Sequence, residues 1–312
     1  MNEIEQKQKT NTSFLDAGRG SPTPSETFRT GSETRVRPEI SNAITDDPVL
    51  DVRRATFHYI FTHPLFYFST FLILLGGIAF GYYTADYLDA VIITLVLFFA
   101  LYAIVMKRIR DAFMEQFAKS IGYEFALSSD VAGVDGALFR VGHDRGISDV
   151  ASGMNGGRPV RVFYYSYTVG EGKSAQVHPF TVFECTFEST MPHIMLHRPD
   201  GIFSGDVPVF SGGVDLTLEG DFNKYFSLAV EKEFELEAYQ IFTPDIMQDL
   251  IDTSKRTGFE FLHNKLYIYK DKLIEKRAEL DALFALSNKL CTRLEPVIKG
   301  MKGDVEAIKR LK

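Results

Sequence analysis

The chain has 312 residues, 45% of them hydrophobic, and a formal net charge of −7. That acidic balance argues against nucleic acid as a partner, because phosphate binding by a whole chain needs an excess of Lys and Arg. The two cysteines, Cys185 and Cys291, lie far apart and outside any CxxC pattern. They make neither a disulfide framework nor a zinc knuckle, so a reducing compartment is expected.

Residues 1–48 are rich in Ser, Thr, Glu, Arg, Pro and Gly, and residues 1–20 hold no apolar core of a secretory signal. Without a period of 2 or 3.6 this stretch buries too little surface to offset its ordering entropy, and a disordered polar tail is expected. Ser21, Thr23 and Ser25 sit in a Pro-interrupted run that a kinase could modify. A solvated tail without such a role is the better account of the composition.

Two apolar runs follow. Leu65 to Tyr83 carries no charged residue and spans roughly 28 Å as a helix, close to the thickness of a bilayer core. Pro64 precedes it, where proline suits a helix start. Ala90 to Met106 is also uncharged, and extension back to Tyr87 brings it to spanning length. Buried helices of a soluble fold usually keep a polar stripe, and neither run has one. A two-helix transmembrane hairpin is therefore expected, with spans at about 65–83 and 87–106 within 55–121.

Arg53 and Arg54 precede the first span, Lys107, Arg108 and Arg110 follow the second, and the connecting Thr84–Asp89 has no Lys or Arg. By the positive-inside bias, both outer flanks belong in the cytoplasm and the short loop lies outside. Tyr82, Tyr83 and Tyr87 would form the outer aromatic belt. Gly77 and Gly81 form a GxxxG, which lets helices approach closely, either within the hairpin or in a homodimer. No ionisable residue sits near the middle of either span, which weakens a pump, proton-relay or channel reading.

Beyond the second span, Ile109, Phe113, Phe117 and Ile121 keep helical spacing, so an amphipathic extension ending at Gly122 is predicted. Its cations, Lys107 to Arg110, would sit against anionic lipid headgroups or simply fix the topology. Residues 122–270 read as a β-rich α+β cytoplasmic domain. Pro159–Val169 and Phe180–Glu188 are predicted as a hairpin around GEGK. HIMLH, VDLTLEG, YFSLAV and FELEAYQIF are predicted as shorter strands. Pro244 opens a short helix with Ile246, Leu250 and Ile251 on one face, and FEFL–HNK–LYIY reads as a closing hairpin. Over 271–312 a C-terminal helix is predicted, with Leu280, Leu283, Leu290 and Leu294 on one face until Pro296 interrupts it. That face is expected to pack on the sheet, two heptads being too few to require a coiled coil.

Chemical motifs are scarce. GEGKS, Gly170 to Ser174, imitates the end of a phosphate loop, but Tyr167 stands where the first glycine belongs and a strand follows, so a hairpin turn is the better account. His193 and His197 share a face and are weak metal candidates without a further ligand in the pattern. Glu219 and Asp221 fit general acid–base work or a solvated turn. No cofactor motif is present.

Leu218-Glu219-Gly220, Phe226, Phe242-Thr243-Pro244, Leu266 and Tyr267 resemble, in that order, a group of bacterial membrane proteins with two early spans and a mixed cytoplasmic domain. The resemblance covers about residues 55 to 290. It implies the fold class and a place in the bacterial inner membrane and brings no catalytic residue with it. The charge bias adds that the N-terminus and the C-terminal domain are cytoplasmic. The expected function is a membrane-anchored binding or regulatory module with the lipid bilayer and a membrane protein as partners. The alternatives are a membrane-tethered enzyme with scattered site residues and an accessory subunit of a larger membrane complex.

Overall fold

A computed structural model describes residues 51–198, 213–253 and 257–310 of the chain. The expected tail over 1–48 lies outside the described residues. The fold is mixed α+β, with helices α1 (Val52–Thr62), α2 (Pro64–Thr84), α3 (Tyr87–Ser120), α4 (Glu235–Ile241), α5 (Pro244–Thr253) and α6 (Arg277–Arg310) around one antiparallel sheet.

Helix α1 was not legible as a separate element. Asp51 caps it by accepting hydrogen bonds from the Arg53 and Arg54 amides at 3.0 and 3.2 Å, and His63 and Pro64 end it by breaking the backbone ladder. Helices α2 and α3 both have membrane-crossing length and composition, and no more than 11% of either apolar window is buried inside the protein. They form an antiparallel pair. A Cβ at Gly77 would lie 2.0 Å from Thr94 Oγ1, and one at Gly81 would lie 3.1 Å from the Ala90 Cβ. The GxxxG therefore serves the contact inside the hairpin.

Helix α3 runs on past Met106 without a break. Its last turns bury Ile109, Phe113, Met114 and Phe117 in the main core, and Gly122, at φ +75°, turns the chain out of the helix. The amphipathic extension is thus one wall of the domain.

The strands are β1 (Glu124–Ser129), β2 (His143–Asn155), β3 (Arg158–Val169), β4 (Gln176–His197), β5 (Gly213–Leu216), β6 (Ser227–Glu231) and β7 (Thr257–Lys270). They are ordered β1-β2-β3-β4-β6-β5, with β7 also paired to β4. Strand β7 doubles back on itself. Its ends would stand about 43 Å apart if straight, yet Lys270 Nζ donates to Thr257 Oγ1. His263 at the fold has φ +56°. The expected FEFL–HNK–LYIY reversal is therefore present, inside one continuous extended element.

Strand β4 pairs antiparallel with both arms of β7, Thr181–Thr186 against Lys265–Lys270 and Ile194–Leu196 against Phe259–Phe261, with register shifts around Met191. It therefore wraps around the β7 fold, and HIMLH is its returning arm rather than a separate strand. Asn264 Nδ2 donates to the Phe187 carbonyl at 3.3 Å, at this corner.

Both sheet faces are covered. Val160, Val162, Tyr164, Phe183, Leu266 and Ile268 face the helices, whereas Phe163, Tyr165, Tyr167, Val182, Tyr267 and Tyr269 form a second core under Val134, Leu138 and Phe139. This explains why Pro159–Val169 lacks polar alternation.

Three expectations need correction. FELEAYQIF, predicted as a strand, enters α4, with Phe234, Ala238 and Ile241 buried at helical spacing and Leu236 and Tyr239 exposed. VDLTLEG is strand only over Gly213–Leu216, and Gly220, at φ +70°, belongs to a turn. Pro296 does not end the C-terminal helix, which continues to Arg310. Ile298 and Met301 beyond it are buried, so core packing outweighs the missing backbone bond.

Candidate functional site

The segment between β7 and α6 is held to the sheet by buried hydroxyls. Thr181 Oγ1 donates to the Lys272 carbonyl at 2.9 Å and accepts from the Ile274 amide at 2.8 Å, and Tyr164 OH donates to the Ile274 carbonyl at 2.5 Å. The Val52 amide donates to the Glu275 carbonyl at 2.9 Å. Arg110 Nε and Nη2 donate to Glu275 Oε1 at 3.0 and 2.6 Å, which ties the same segment to α3.

A groove of about 890 Å³ opens between this fixed segment and the exposed side of α6, within the roughly 300–1,000 Å³ of ordinary small-molecule sites. Its floor is Ile274, Leu283 and Leu286, with the small side chains of Ala282 and Ala285 beside them. Arg198, Lys270, Lys272 and Lys289 rim it, against one carboxylate, Glu279. Lys272 pairs with Glu279, and Lys289 pairs with Asp249 at 2.6 Å. Burial and the neighbouring Lys272 hold the Lys270 ammonium below its ordinary pKa. A cationic rim over an apolar floor is set up for an anion that carries hydrocarbon. Among the described residues its lining holds one carboxylate, Glu279, and no histidine.

The second convergence is closed. Glu260 is fully buried on the opposite sheet face, where it accepts from the Ala137 amide at 3.0 Å, Tyr269 OH at 2.6 Å and His193 Nε2 at 2.8 Å. Burial and this carboxylate push the Tyr269 hydroxyl well above its ordinary pKa. Gly136 is required here, since a Cβ would meet Tyr269 OH at 2.6 Å. The cluster fastens the 131–141 cover to the sheet.

The third convergence is a pair of thiols. Cys185 on β4 and Cys291 on α6 are buried with their sulfurs 3.2 Å apart. Sequence spacing gave no sign of this contact, because it forms only when α6 lies across the sheet. The adjacent Cys291 and burial push the Cys185 thiol up.

The residues singled out from the sequence are dispersed. His193 is held by Glu260, and His197 Nδ1 lies 3.3 Å from the Arg198 carbonyl. Among the described residues no three His, Cys, Asp or Glu side chains are placed to hold a metal. Gly172–Ser174 is a short turn between β3 and β4. Asp221 pairs with Lys224 at 2.7 Å in an exposed turn. Lys107 and Arg108 are exposed at one end of the hairpin, and Arg53 and Arg54 are exposed on α1. Glu275 engages Arg110 and, at 3.8 Å, also Arg53. The groove was missed because its lysines are unremarkable singly. The usable signal was Glu279, Ala282, Leu283, Leu286 and Lys289, which share one helical face.

Neither a family model nor a curated protein matches the chain. Among solved structures, the mycobacterial trehalose monomycolate transport factor A aligns with a TM-score of 0.43 and 14% identity, over 57% of this chain and 92% of that one. A likeness of this degree carries no functional argument.

Proposed function

We propose that the protein is a membrane-anchored binding or regulatory module of the bacterial inner membrane. Helices α2 and α3 cross the bilayer as a hairpin. The Thr84–Asp89 connection lies outside, and the sheet with α1, α4, α5 and α6 lies in the cytoplasm. The observation that carries this reading is the exposed apolar surface of α2 and the first half of α3, including Phe71, Leu75, Ile78, Leu88, Val96 and Phe99. Water would oppose such a surface, and lipid would not. The orientation is supported by Arg53, Arg54, Lys107 and Arg108 at one end and Asp86 and Asp89 at the other. Binding, rather than catalysis, is supported by the cation-rimmed groove.

The test is residue labelling in intact cells. A cysteine at Thr84 should react with a membrane-impermeant maleimide, a C-terminal reporter should be active only as a cytoplasmic fusion, and carbonate washing should leave the chain in the membrane. Release by carbonate, or the reverse labelling pattern, would remove the proposal.

A further inference from the structure

We propose that the groove between the Lys270–Ile274 segment and α6 binds a single-chain anionic amphiphile, an acyl chain ending in a carboxylate or phosphate head. The head would lie at Arg198, Lys270 and Lys272, and the chain would run along Ala282, Leu283 and Leu286. This deepens the membrane-anchored binding reading and rests on it for the source of the ligand.

Four features of the site lead to this ligand class. Among the described lining residues four cations stand against Glu279, with Asp249 behind Lys289, in a chain whose formal net charge is −7. Cations thus still outnumber carboxylates locally, and the site favours an anion. Three of them are tethered from one side, Lys270 by Thr257, Lys272 by Glu279 and Lys289 by Asp249. Such tethering places their ammonium groups before a ligand arrives. The Lys270 ammonium is destabilised by burial and by Lys272, and an anion between the two would reverse that cost. The floor of Ile274, Leu283 and Leu286 is aliphatic, and exposed Ala282 and Ala285 extend it with small apolar side chains along which a polymethylene chain can lie.

The wall is also preformed. Thr181 and Tyr164 hold Lys272 and Ile274 through three hydrogen bonds, so little ordering is needed on binding. The residue after Ile274 is Glu275, which holds Arg110 three positions beyond Lys107, the first cation after the apolar run. The wall of the groove is thus tied, through Glu275 and Arg110, to the helix that carries these cations.

The experiment uses the full chain in a neutral maltoside detergent, with oleate, oleoyl-lysophosphatidic acid and uncharged monoolein as probes. Both anionic probes should bind saturably and monoolein at least about tenfold more weakly. Lys270→Gln should weaken both anions about tenfold, a change of about 1.4 kcal/mol. Ala285→Trp, at an exposed position, should abolish binding with the thermal unfolding midpoint unchanged. Should that variant misfold, Ala282→Trp replaces it. Equal binding of monoolein, or unaltered oleate binding with the slot filled, overturns the inference. Mass spectrometry of lipid retained from cells separates the two sources, a lysophospholipid from the bilayer or a free fatty acid. Retention of a peptide alone also overturns the inference. Cysteine labelling at Thr84 tests the anchor separately, so either reading can fail while the other stands.

Discussion

Arg110 and Glu275 join the two ends of the domain, with the guanidinium donating to one carboxylate oxygen at 3.0 and 2.6 Å across 165 residues of sequence. Their side chains are 26% and 17% exposed, so water screens the pair only in part. Replacing Arg110 with Gln and Glu275 with Gln, singly and together, should give a coupling of about 1 kcal/mol in a double-mutant cycle. Thermal unfolding in detergent would measure it, and additive single effects would show that the pair is not coupled.

Gly77 meets Thr94 more closely than any side chain allows. Gly77→Ala should destabilise the helical hairpin by about 1–3 kcal/mol, read as a lower midpoint of unfolding in mixed micelles. Thr94→Ala should restore most of the loss, because the atom 2.0 Å from the new methyl is the threonine hydroxyl. Gly81→Ala, facing the Ala90 methyl at 3.1 Å, should cost less. An unchanged hairpin combined with a lost dimer would place the glycines between copies instead.

Glu260 accepts from three donors in a site closed to water. Glu260→Gln presents an amide NH2 where one of those donors points, and should lower stability by about 1–3 kcal/mol. Loss of protection should appear first in the amides of residues 131–141, measured by hydrogen exchange. Uniform exchange across the sheet would contradict a local fastening.

His143 staples the start of β2 to the β3–β4 turn. Its Nδ1 lies 2.9 Å from the Asp144 carboxylate and its Nε2 lies 2.8 Å from the Gly170 carbonyl. Both neighbours are acceptors, so both are satisfied only when each nitrogen carries a proton. The Gly170 carbonyl, followed by Asp144, raises the pKa from 6.5. With the folded value above the unfolded one, the stabilisation is complete below the unfolded value and is lost as pH rises through the folded value. A histidine NMR titration should show the raised midpoint. His143→Gln should flatten the fall in thermal stability between about pH 6 and 8.

What could be read from the sequence follows from the range of each interaction. The apolar runs, the cations after the second of them and the Gly77–Gly81 spacing are local, and all reappear in α2 and α3, whereas Arg53 and Arg54 fall on α1. The hairpin turns at Gly170–Ser174 and around His263 were also legible, since turn chemistry sits in a few consecutive residues. FELEAYQIF misled because alternating Glu, Leu and Glu imitates a period of 2, whereas Phe234, Ala238 and Ile241 carry the period that packing selects. Pro296 misled because helix propensity is local and the burial of Ile298 and Met301 is not. The thiol pair was illegible because it joins α6 to a strand 106 residues earlier, and no spacing rule spans that distance. The groove lies, apart from Arg198, between α6 and the segment just before it, and its lysines carry no pattern until α6 is laid beside that segment.

Helix α3 contains neither Gly nor Pro across its 34 residues, a rod of about 51 Å. One half carries exposed Val91, Val96 and Phe99, and the other carries buried Ile109, Phe113 and Phe117. With no joint between the halves, a tilt of the first is a displacement of the second against the sheet. In the proposed membrane setting, a tilt of the apolar half would shift Ile109, Phe113 and Phe117 against the sheet, and Arg110 with them against Glu275.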